Sequence, residues 1–187
     1  VICGPSGVGK QTLINLLVVQ YSQKFGFTIQ HTTRPPRPGE DSSDYHFITL
    51  DEMQQGIEDG KFLEYSNVHG NLYGTSFESV QEVRASGKIC LLSVDKEGCE
   101  KLRNTALRPK FLFIAPPDLD VLEDRLRDRG TDTEEEIQRA LSKAKDEVSY
   151  GEAEGNFDKV IVNEVLEDAF DTVKKLFEAW YPHLLHE

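Results

Sequence analysis

Residues 4–12, with the sequence GPSGVGKQT, have the residue types and spacing of a phosphate-binding loop. Glycines adopt positive φ and so allow successive backbone N–H groups to converge on one anion. The helix that follows would direct the positive end of its dipole at that anion, and Lys10 would reach the β- and γ-phosphates of a nucleotide. A glycine-rich turn with an incidental lysine is the alternative. We predict an ATP site formed by Gly4, Ser6, Gly7, Gly9, Lys10, Gln11 and Thr12.

The loop departs from the usual phosphate-loop pattern at Gln11. A Ser or Thr at this place would offer its hydroxyl oxygen to Mg²⁺. The carbonyl oxygen of Gln11 lies on a longer side chain and could bind Mg²⁺ poorly, through water or not at all. We therefore expect Mg²⁺ to arrive with ATP as the cofactor, and we predict no dedicated metal site in the protein.

Short apolar segments that favour strands alternate along the chain with segments of helical periodicity. Strands are expected over residues 1–3, 88–94, 111–115 and 159–162, and helices over 12–20, 96–103, 119–129 and 167–180. Continuous apolar strands that alternate with helices predict βαβ units, and hence an α/β fold with a parallel sheet covered on both faces. The phosphate loop would then connect the first strand to the first helix.

Two segments interrupt this alternation. Residues 26–77 contain short strand-like pieces at 26–30, 45–49 and 62–66, separated by proline and glycine, and they predict a small mixed α/β insertion. Residues 125–150 are dense in charge, and Thr133 followed by Glu136 forms a capping-box pattern that starts a helix. Such a polar helix is either solvated or a mobile lid.

Composition excludes several classes of protein. The chain has 187 residues with 21 Lys and Arg against 33 Asp and Glu, a formal net charge of −12, and we expect one domain. The acidic balance argues against nucleic-acid partners and anionic membranes, and no apolar run approaches the ~20 residues of a membrane span. Three cysteines without CxxC spacing indicate a reducing compartment, which we expect to be the cytoplasm. Because the chain enters the loop directly after Val1, we expect it to be part of a longer protein.

Further motifs identify a family. In order they are HTTRPPRPGE at 31–40, DYHF at 44–47, FLEY at 62–65, VHGNLYGTS at 68–76, FLFIAPP at 111–117, RLRDRGTDTEEEI at 125–137 and DKVIVN at 158–163. Over essentially its whole length the chain resembles guanylate kinases and the guanylate-kinase-like domains of larger eukaryotic proteins. The resemblance implies a P-loop NTPase-type parallel sheet core (1–25, 78–124 and 151–187), a mixed α/β GMP-binding insertion (26–77) and a helical lid (125–150). It also implies the reaction of ATP with GMP to give ADP and GDP.

The resemblance assigns GMP to seven residues, which are Arg34, Arg37, Tyr45, Glu64, Tyr73, Thr75 and Asp95. Two guanidinium forks suit one dianionic phosphate, and a carboxylate suits a base that presents adjacent N–H donors, as guanine does. On the ATP side the resemblance places Asn163 near adenine, and it makes Arg125 and Arg129 converge on the phosphates. The candidate catalytic residues are therefore Lys10, Arg34, Arg125 and Arg129.

Four positions depart from the pattern of the family. Gln11 replaces the hydroxyl that binds Mg²⁺, Ser93 stands where an Asp is usual, Ala140 stands where the lid usually supplies an Arg, and Gln30 replaces a Ser near guanine. These changes predict a GMP kinase of reduced activity. The alternative is a weak or silent module that binds nucleotide, or a protein or phosphoprotein partner, through its insertion. A kinase for a different small molecule is disfavoured, because Glu64 and Asp95 together suit guanine.

Overall fold

The computed structural model describes residues 1–68, 70–130 and 132–182, with the backbone alone at Val68. The expected lid includes Thr131 and the expected core includes residues 183–187, which lie outside the described residues. In chain order the elements are β1 (Ile2–Cys3), α1 (Lys10–Gln20), β2 (Phe25–Phe27), β3 (His31–Thr32), β4 (His46–Phe47), α2 (Leu50–Glu58), β5 (Phe62–Val68), β6 (Asn71–Ser76), α3 (Phe77–Ala85), β7 (Ile89–Leu91), α4 (Lys96–Arg103), β8 (Leu112–Ala115), α5 (Leu119–Asp128), α6 (Glu134–Glu152), β9 (Lys159–Val162) and α7 (Leu166–Trp180).

The core is a parallel sheet. Strand β8 pairs with β1 on one side and β9 on the other, and β2 pairs with β7. The segment after β7 joins the two parts, because Ile2 N donates to Leu92 O at 2.7 Å and Val94 N donates to Ile2 O at 3.1 Å. The strand order is therefore β2-β7-β1-β8-β9. This arrangement confirms the expected α/β fold with a parallel sheet.

Apolar side chains cover both faces of this sheet. Along β8, Leu112 and Ile114 belong to the apolar cluster that includes side chains of α1, α5 and α7. The alternate residues Phe113 and Ala115 belong to a second cluster with side chains of α3 and α4. Successive side chains of a strand point to opposite faces, so the sheet is a layer between two sets of helices. The loops that follow the strands lie at the carboxyl edge of the sheet.

Strand β2 differs from the prediction in its bounds and its partner. We expected a strand over residues 26–30 within the insertion, but β2 begins at Phe25, ends at Phe27 and pairs with β7 of the core. The Phe25 ring is buried edge-on against Phe177 of α7, with centroids 5.4 Å apart, and this packing fixes the strand in the core. The strand expected over 45–49 is also shorter, because only His46 and Phe47 pair with β3.

The insertion contains a mixed sheet in the order β4-β3-β6-β5. Strand β6 pairs antiparallel with β5 and β3, whereas β3 pairs parallel with β4. Helix α2 begins at a capping box in which Thr49 Oγ1 accepts from Glu52 N, and its buried Met53 packs beneath the sheet. The insertion therefore contains both a sheet and a helix.

Helix α6 packs against the core and is not solvated on all sides. It starts at the capping box expected from Thr133 and Glu136. One face buries Ala144 and Gly151, and a Cβ at Gly151 would overlap the ring of Phe113. The C-terminal end of the helix thus lies against Phe113 of the second cluster, whereas Ile137 and Ala144 belong to the first cluster. Within the part of the chain that the structure describes, no helix combines the length and the apolar character needed to cross a bilayer.

Candidate active site

The phosphate loop lies at the carboxyl end of β1, beside the carboxyl end of β7. The connection from β1 runs along the sheet to β2, and the connection from β7 runs in the opposite direction to β8. Ligands of open α/β sheets bind at the carboxyl ends of two neighbouring strands whose connections run in opposite directions. The topology alone therefore places a binding crevice at this loop.

Backbone geometry and one amide hold the loop in position. Gly7 and Gly9 have φ of 84° and 94°, in the region that favours glycine, and a Cβ at Gly9 would lie 2.5 Å from Asn163 Nδ2. Asn163, at the end of β9, is buried and donates from Nδ2 to Val8 O at 2.8 Å. The structure thus places Asn163 against the loop backbone as a positioning residue. Its contact with adenine stays a prediction.

Lys10 lies at the centre of the loop. Its ammonium donates to Gly4 O at 2.5 Å and to Pro5 O at 2.9 Å. Burial lowers the pKa of Lys10 below its ordinary value. A cation that has lost most of its water attracts a phosphate more strongly than one on the surface does.

A cavity of about 280 Å³, which we call the loop cavity, opens over this segment. Its lining comprises Ser6, Gly7, Gly9, Lys10, Gln11, Thr12, Ser93, Arg125 and Arg129. The two arginines come from the end of α5, and their partners do not line the cavity. Arg125 Nη2 donates to Glu164 O at 3.0 Å, and Arg129 Nη1 lies 3.5 Å from Asp132 Oδ2. Arg125 Nη1 is buried with no hydrogen-bond partner among the described residues. The cavity therefore brings the cations Lys10, Arg125 and Arg129 to one place.

A second cavity of about 300 Å³, the central cavity, shares Ser6, Lys10 and Ser93 with the loop cavity. Its further lining is Gly4, Gln30, Glu64, Ser66, Val94, Asp95, Ala140, Lys143 and Glu147. The two cavities meet at the three shared residues. Two ligands bound in them would therefore lie next to each other at Lys10.

Glu64 is the carboxylate that the insertion contributes to the central cavity, and it is buried. Glu64 Oε1 accepts from Thr75 Oγ1 at 2.5 Å. Gln30 Nε2 lies 3.4 Å from Glu64 Oε1 and 3.4 Å from Thr75 Oγ1. Burial raises the pKa of Glu64, and the Thr75 hydrogen bond opposes this rise. Gln30, one of the departures from the family pattern, thus lies directly against the two residues expected to contact the base.

Asp95 faces Glu64 across the central cavity from the start of α4. Its Oδ1 caps that helix by accepting from Gly98 N at 2.9 Å, and its Oδ2 lies 3.3 Å from Lys143 Nζ. One carboxylate oxygen is therefore fixed by the fold, whereas the other takes part in an ion pair across the cavity.

Arg34 follows β3 in the insertion and does not line the central cavity. Its guanidinium makes a bidentate contact with Glu40, at 2.9 Å for both pairs of atoms, and Nε donates to Tyr73 OH at 3.2 Å. Its Cζ also lies 5.4 Å from the ring centroid of Tyr45. Arg37 is exposed, and its backbone N donates to Glu40 Oε2 at 2.6 Å. The structure thus brings Arg34, Tyr45 and Tyr73 together.

Three charged residues in these surroundings were missed by the sequence analysis. Glu40 closes the PPRPGE turn, and its position three residues after Arg37 was the available signal. Lys143 and Glu147 lie four apart on α6 and both line the central cavity. Their spacing is typical of a surface ion pair, so no local pattern indicates that they face a cavity.

The departures at Gln11 and Ser93 leave neutral oxygens around the loop cavity. Gln11 Nε2 donates to Asn15 Oδ1 at 2.8 Å, which directs the amide along α1. No carboxylate lines this cavity among the described residues, which also contain no cluster of three metal-ligating side chains. Mg²⁺ accepts neutral oxygens and keeps several waters, so the cavity fits an ion carried by nucleotide phosphates and not one held by the protein alone.

A larger cavity of about 490 Å³ lies elsewhere, at the amino ends of the parallel strands. Its lining includes Arg84, Lys88, Arg108 and Lys110 but none of the predicted site residues. We place the chemistry at the two smaller cavities, because these bring together the phosphate loop, the arginines of α5 and the paired carboxylates.

Comparisons with known proteins show which proteins this chain resembles. A family model described as guanylate kinase matches residues 1–180. "Guanylate kinase 1" of Arabidopsis thaliana is 49% identical over 177 residues, which are 94% of this chain and 46% of that protein. The guanylate kinase of Sus scrofa is 45% identical over 176 residues, which are 94% of this chain and 89% of that protein. The chain thus spans about half the length of the Arabidopsis relative and most of the pig relative.

A similarity in structure accompanies the similarity in sequence. The crystal structure of guanylate kinase from Anaplasma phagocytophilum matches with a TM-score of 0.65 and 27% identity. The match covers 95% of this chain and 82% of that one. It includes the parallel core and extends over the insertion.

Proposed function

This chain belongs to the guanylate kinase family, and from that premise we propose that it transfers the terminal phosphoryl group of ATP to GMP, giving ADP and GDP. The observation that carries this proposal is the meeting of the loop cavity and the central cavity at Lys10. With the phosphates of ATP in the first cavity and the guanine of GMP in the second, the reacting oxygen and phosphorus atoms would lie near Lys10. Phosphoryl transfer depends chiefly on such positioning and on neutralisation of charge.

Each part of the site has a role in this reaction. Lys10 and the arginines of α5 neutralise the phosphates of ATP, while Arg34, Tyr45 and Tyr73 bind the phosphate of GMP with help from the exposed Arg37. Glu64 and Asp95 accept hydrogen bonds from guanine, and Thr75 orients Glu64. When bound with ATP, Mg²⁺ would supply further neutralisation of charge, and the oxygens of Gln11, Thr12 and Ser93 line the cavity in which it would lie.

Glu64 is expected to make recognition of GMP depend on pH. Burial raises the pKa of this carboxyl above the ordinary glutamate value of 4.5, so Glu64 takes up a proton at a higher pH than an exposed glutamate does. The protonated group accepts guanine N–H donors poorly, and the KM for GMP should therefore rise as the pH falls through the raised pKa. Steady-state kinetics across the acid range would measure this rise.

In Glu64→Gln the same KM should be high, by about 10- to 100-fold, and flat with pH. The raised pKa means that Glu64 stabilises the fold below its unfolded-state pKa and that this stability is lost as the pH rises through the folded value. At neutral pH the variant should accordingly have an undiminished melting temperature. The exposed change Glu82→Gln is the control. A KM that still rises in acid in Glu64→Gln would contradict the assignment.

A second function is favoured by the observation at Gln11. Its amide is bound to Asn15 and stands where a hydroxyl would bind Mg²⁺, which suits a module that binds nucleotide without turning it over. Such a module would present Arg34 and Tyr45 to a phosphorylated protein partner. Calorimetric titration of GMP and of ATP with Mg²⁺, with an ADP-release assay on the same sample, separates the two. Release of ADP that requires GMP supports the kinase, and binding of GMP without release supports the module.

Gln11→Ser is expected to raise kcat about tenfold and to strengthen the dependence of the rate on Mg²⁺. The serine hydroxyl replaces an amide that is directed toward Asn15 and so offers a short, fixed oxygen beside the phosphates. ADP release at several Mg²⁺ concentrations would measure the change. Gln11→Ala, which removes the amide without adding a hydroxyl, is the matched control. Equal rates in the two variants would show that Gln11 does not limit the reaction.

A further inference from the structure

Lys143 is a cation of the central cavity that the reaction described above does not use. Its ammonium lies 3.3 Å from Asp95 Oδ2 and 3.8 Å from Glu147 Oε1, and its side chain is 55% exposed. Glu147 by contrast is buried, with a side chain only 7% exposed. Lys143 therefore bridges α6 to the start of α4 across the mouth of the cavity.

The face of α6 that lines the cavity is formed by Ala140, Lys143 and Glu147. These positions are three and four residues apart, so they lie one above another on one side of the helix. Ala140 brings no charge, and Lys143 is the cation of this face. Arg139 lies off this face, with its Nη2 3.7 Å from Glu135 Oε2 on the helix surface.

The balance of charge in the central cavity favours a role for this cation. The lining carries Lys10 and Lys143 against Glu64, Asp95 and Glu147. Entry of a nucleotide phosphate adds further negative charge, and the loop carbonyls already bind Lys10 on one side. Charge that develops on the transferred phosphoryl group would therefore lack a cation on the side of α6 unless Lys143 supplies it.

The contacts of Lys143 leave it able to move. The 3.8 Å separation from Glu147 exceeds a hydrogen bond, and the 3.3 Å contact with Asp95 is long for a charged pair. A lysine has three donors on a flexible stem, so one of them can turn to a phosphate. Guanine N–H groups that bind Asp95 would also compete with Lys143 for Oδ2. Binding of the acceptor base would thus release the ammonium as the phosphates meet.

We propose that Lys143 is the cation that α6 brings to the transferred phosphoryl group, held by Asp95 and Glu147 until both nucleotides are bound. The proposal rests on the proposed GMP kinase activity and adds a catalytic residue to it. A purely structural role as a latch between α6 and α4 is the competing interpretation. The latch would affect thermal stability, whereas the proposed contact would affect kcat.

The test compares Lys143→Ala with the wild type in the ADP-release assay. We expect kcat to fall about 100-fold, while the KM for GMP changes less than about threefold. Lys143→Arg should recover most of the rate, and so should Ala140→Arg added to Lys143→Ala, since it returns a cation to the same face of the helix. Lys145→Ala, an exposed change on α6, is the matched control. A lower melting temperature with an unchanged kcat would overturn the proposal and favour the latch.

Binding of a bisubstrate ligand tests this proposal separately from the proposed function. The probe is adenosine joined 5′ to 5′ with guanosine through five phosphates, measured by calorimetry. If the wild type binds it but shows no turnover, the kinase activity fails, and at least about tenfold weaker binding by Lys143→Ala would still support the contact. Equal binding by the two proteins would overturn the contact alone. No binding by the wild type would overturn both.

Discussion

Lys10→Met is expected to lower kcat/KM for GMP phosphorylation about 1,000-fold, in the range seen when one preorganised charge donor is lost. Lys10 lines both the loop cavity and the central cavity, and burial lowers the pKa of its ammonium. Methionine has a similar length and no charge, so the variant removes the cation and keeps most of the volume. The ADP-release assay with both nucleotides varied would measure the loss.

Stability gives this prediction an independent check. Burial of the ammonium costs free energy in the folded protein, so Lys10→Met should unfold at a temperature no lower than the wild type does. Lys175→Met, an exposed change on α7, is the control and should change neither property. A loss of activity that follows a loss of fold would remove the assignment of Lys10, as would a variant within tenfold of the wild-type rate.

The parts of the site that could be predicted from the sequence are those in which neighbouring residues act together. The phosphate loop is one continuous segment whose glycines and Lys10 already specify its geometry. The capping box at Thr133 is another, because it needs only residues within one helical turn. The parallel core followed in the same way, since the alternation of apolar strands and helices repeats locally along the chain.

Contacts between distant parts of the chain could not be predicted in this way. Asn163 binds the carbonyl of Val8, 155 residues away, and nothing near either residue signals the pairing. The ion pair of Lys143 with Asp95 depends on how α6 crosses the sheet. Strand β2 was likewise assigned to the insertion, because its place in the core depends on packing of Phe25 against α7. Tertiary packing decides such cases against local pattern.

Arg34→Lys is expected to lower kcat/KM for GMP by about 100- to 1,000-fold, chiefly through a higher KM for GMP, with the KM for ATP unchanged. The planar fork of Arg34 contacts both oxygens of Glu40 and still donates from Nε to Tyr73. A lysine is a single point of charge and cannot hold Glu40 and a phosphate at once. Initial rates with each nucleotide varied in turn would measure the split.

Glu40 makes the expected loss at Arg34 larger than charge alone would suggest. The carboxylate of Glu40 already binds the guanidinium, so the phosphate of GMP must share the guanidinium with Glu40 or displace it. Arginine has several donors in a planar fork and can bind both groups while it keeps its orientation. In Arg34→Lys the remaining cation would stay with Glu40, which is also held by the backbone of Arg37. Arg84→Lys, exposed on α3 and outside both cavities, is the control. An equal rise in the KM for ATP would instead show that Arg34 supports the fold as a whole, because no described residue of the insertion lines the loop cavity.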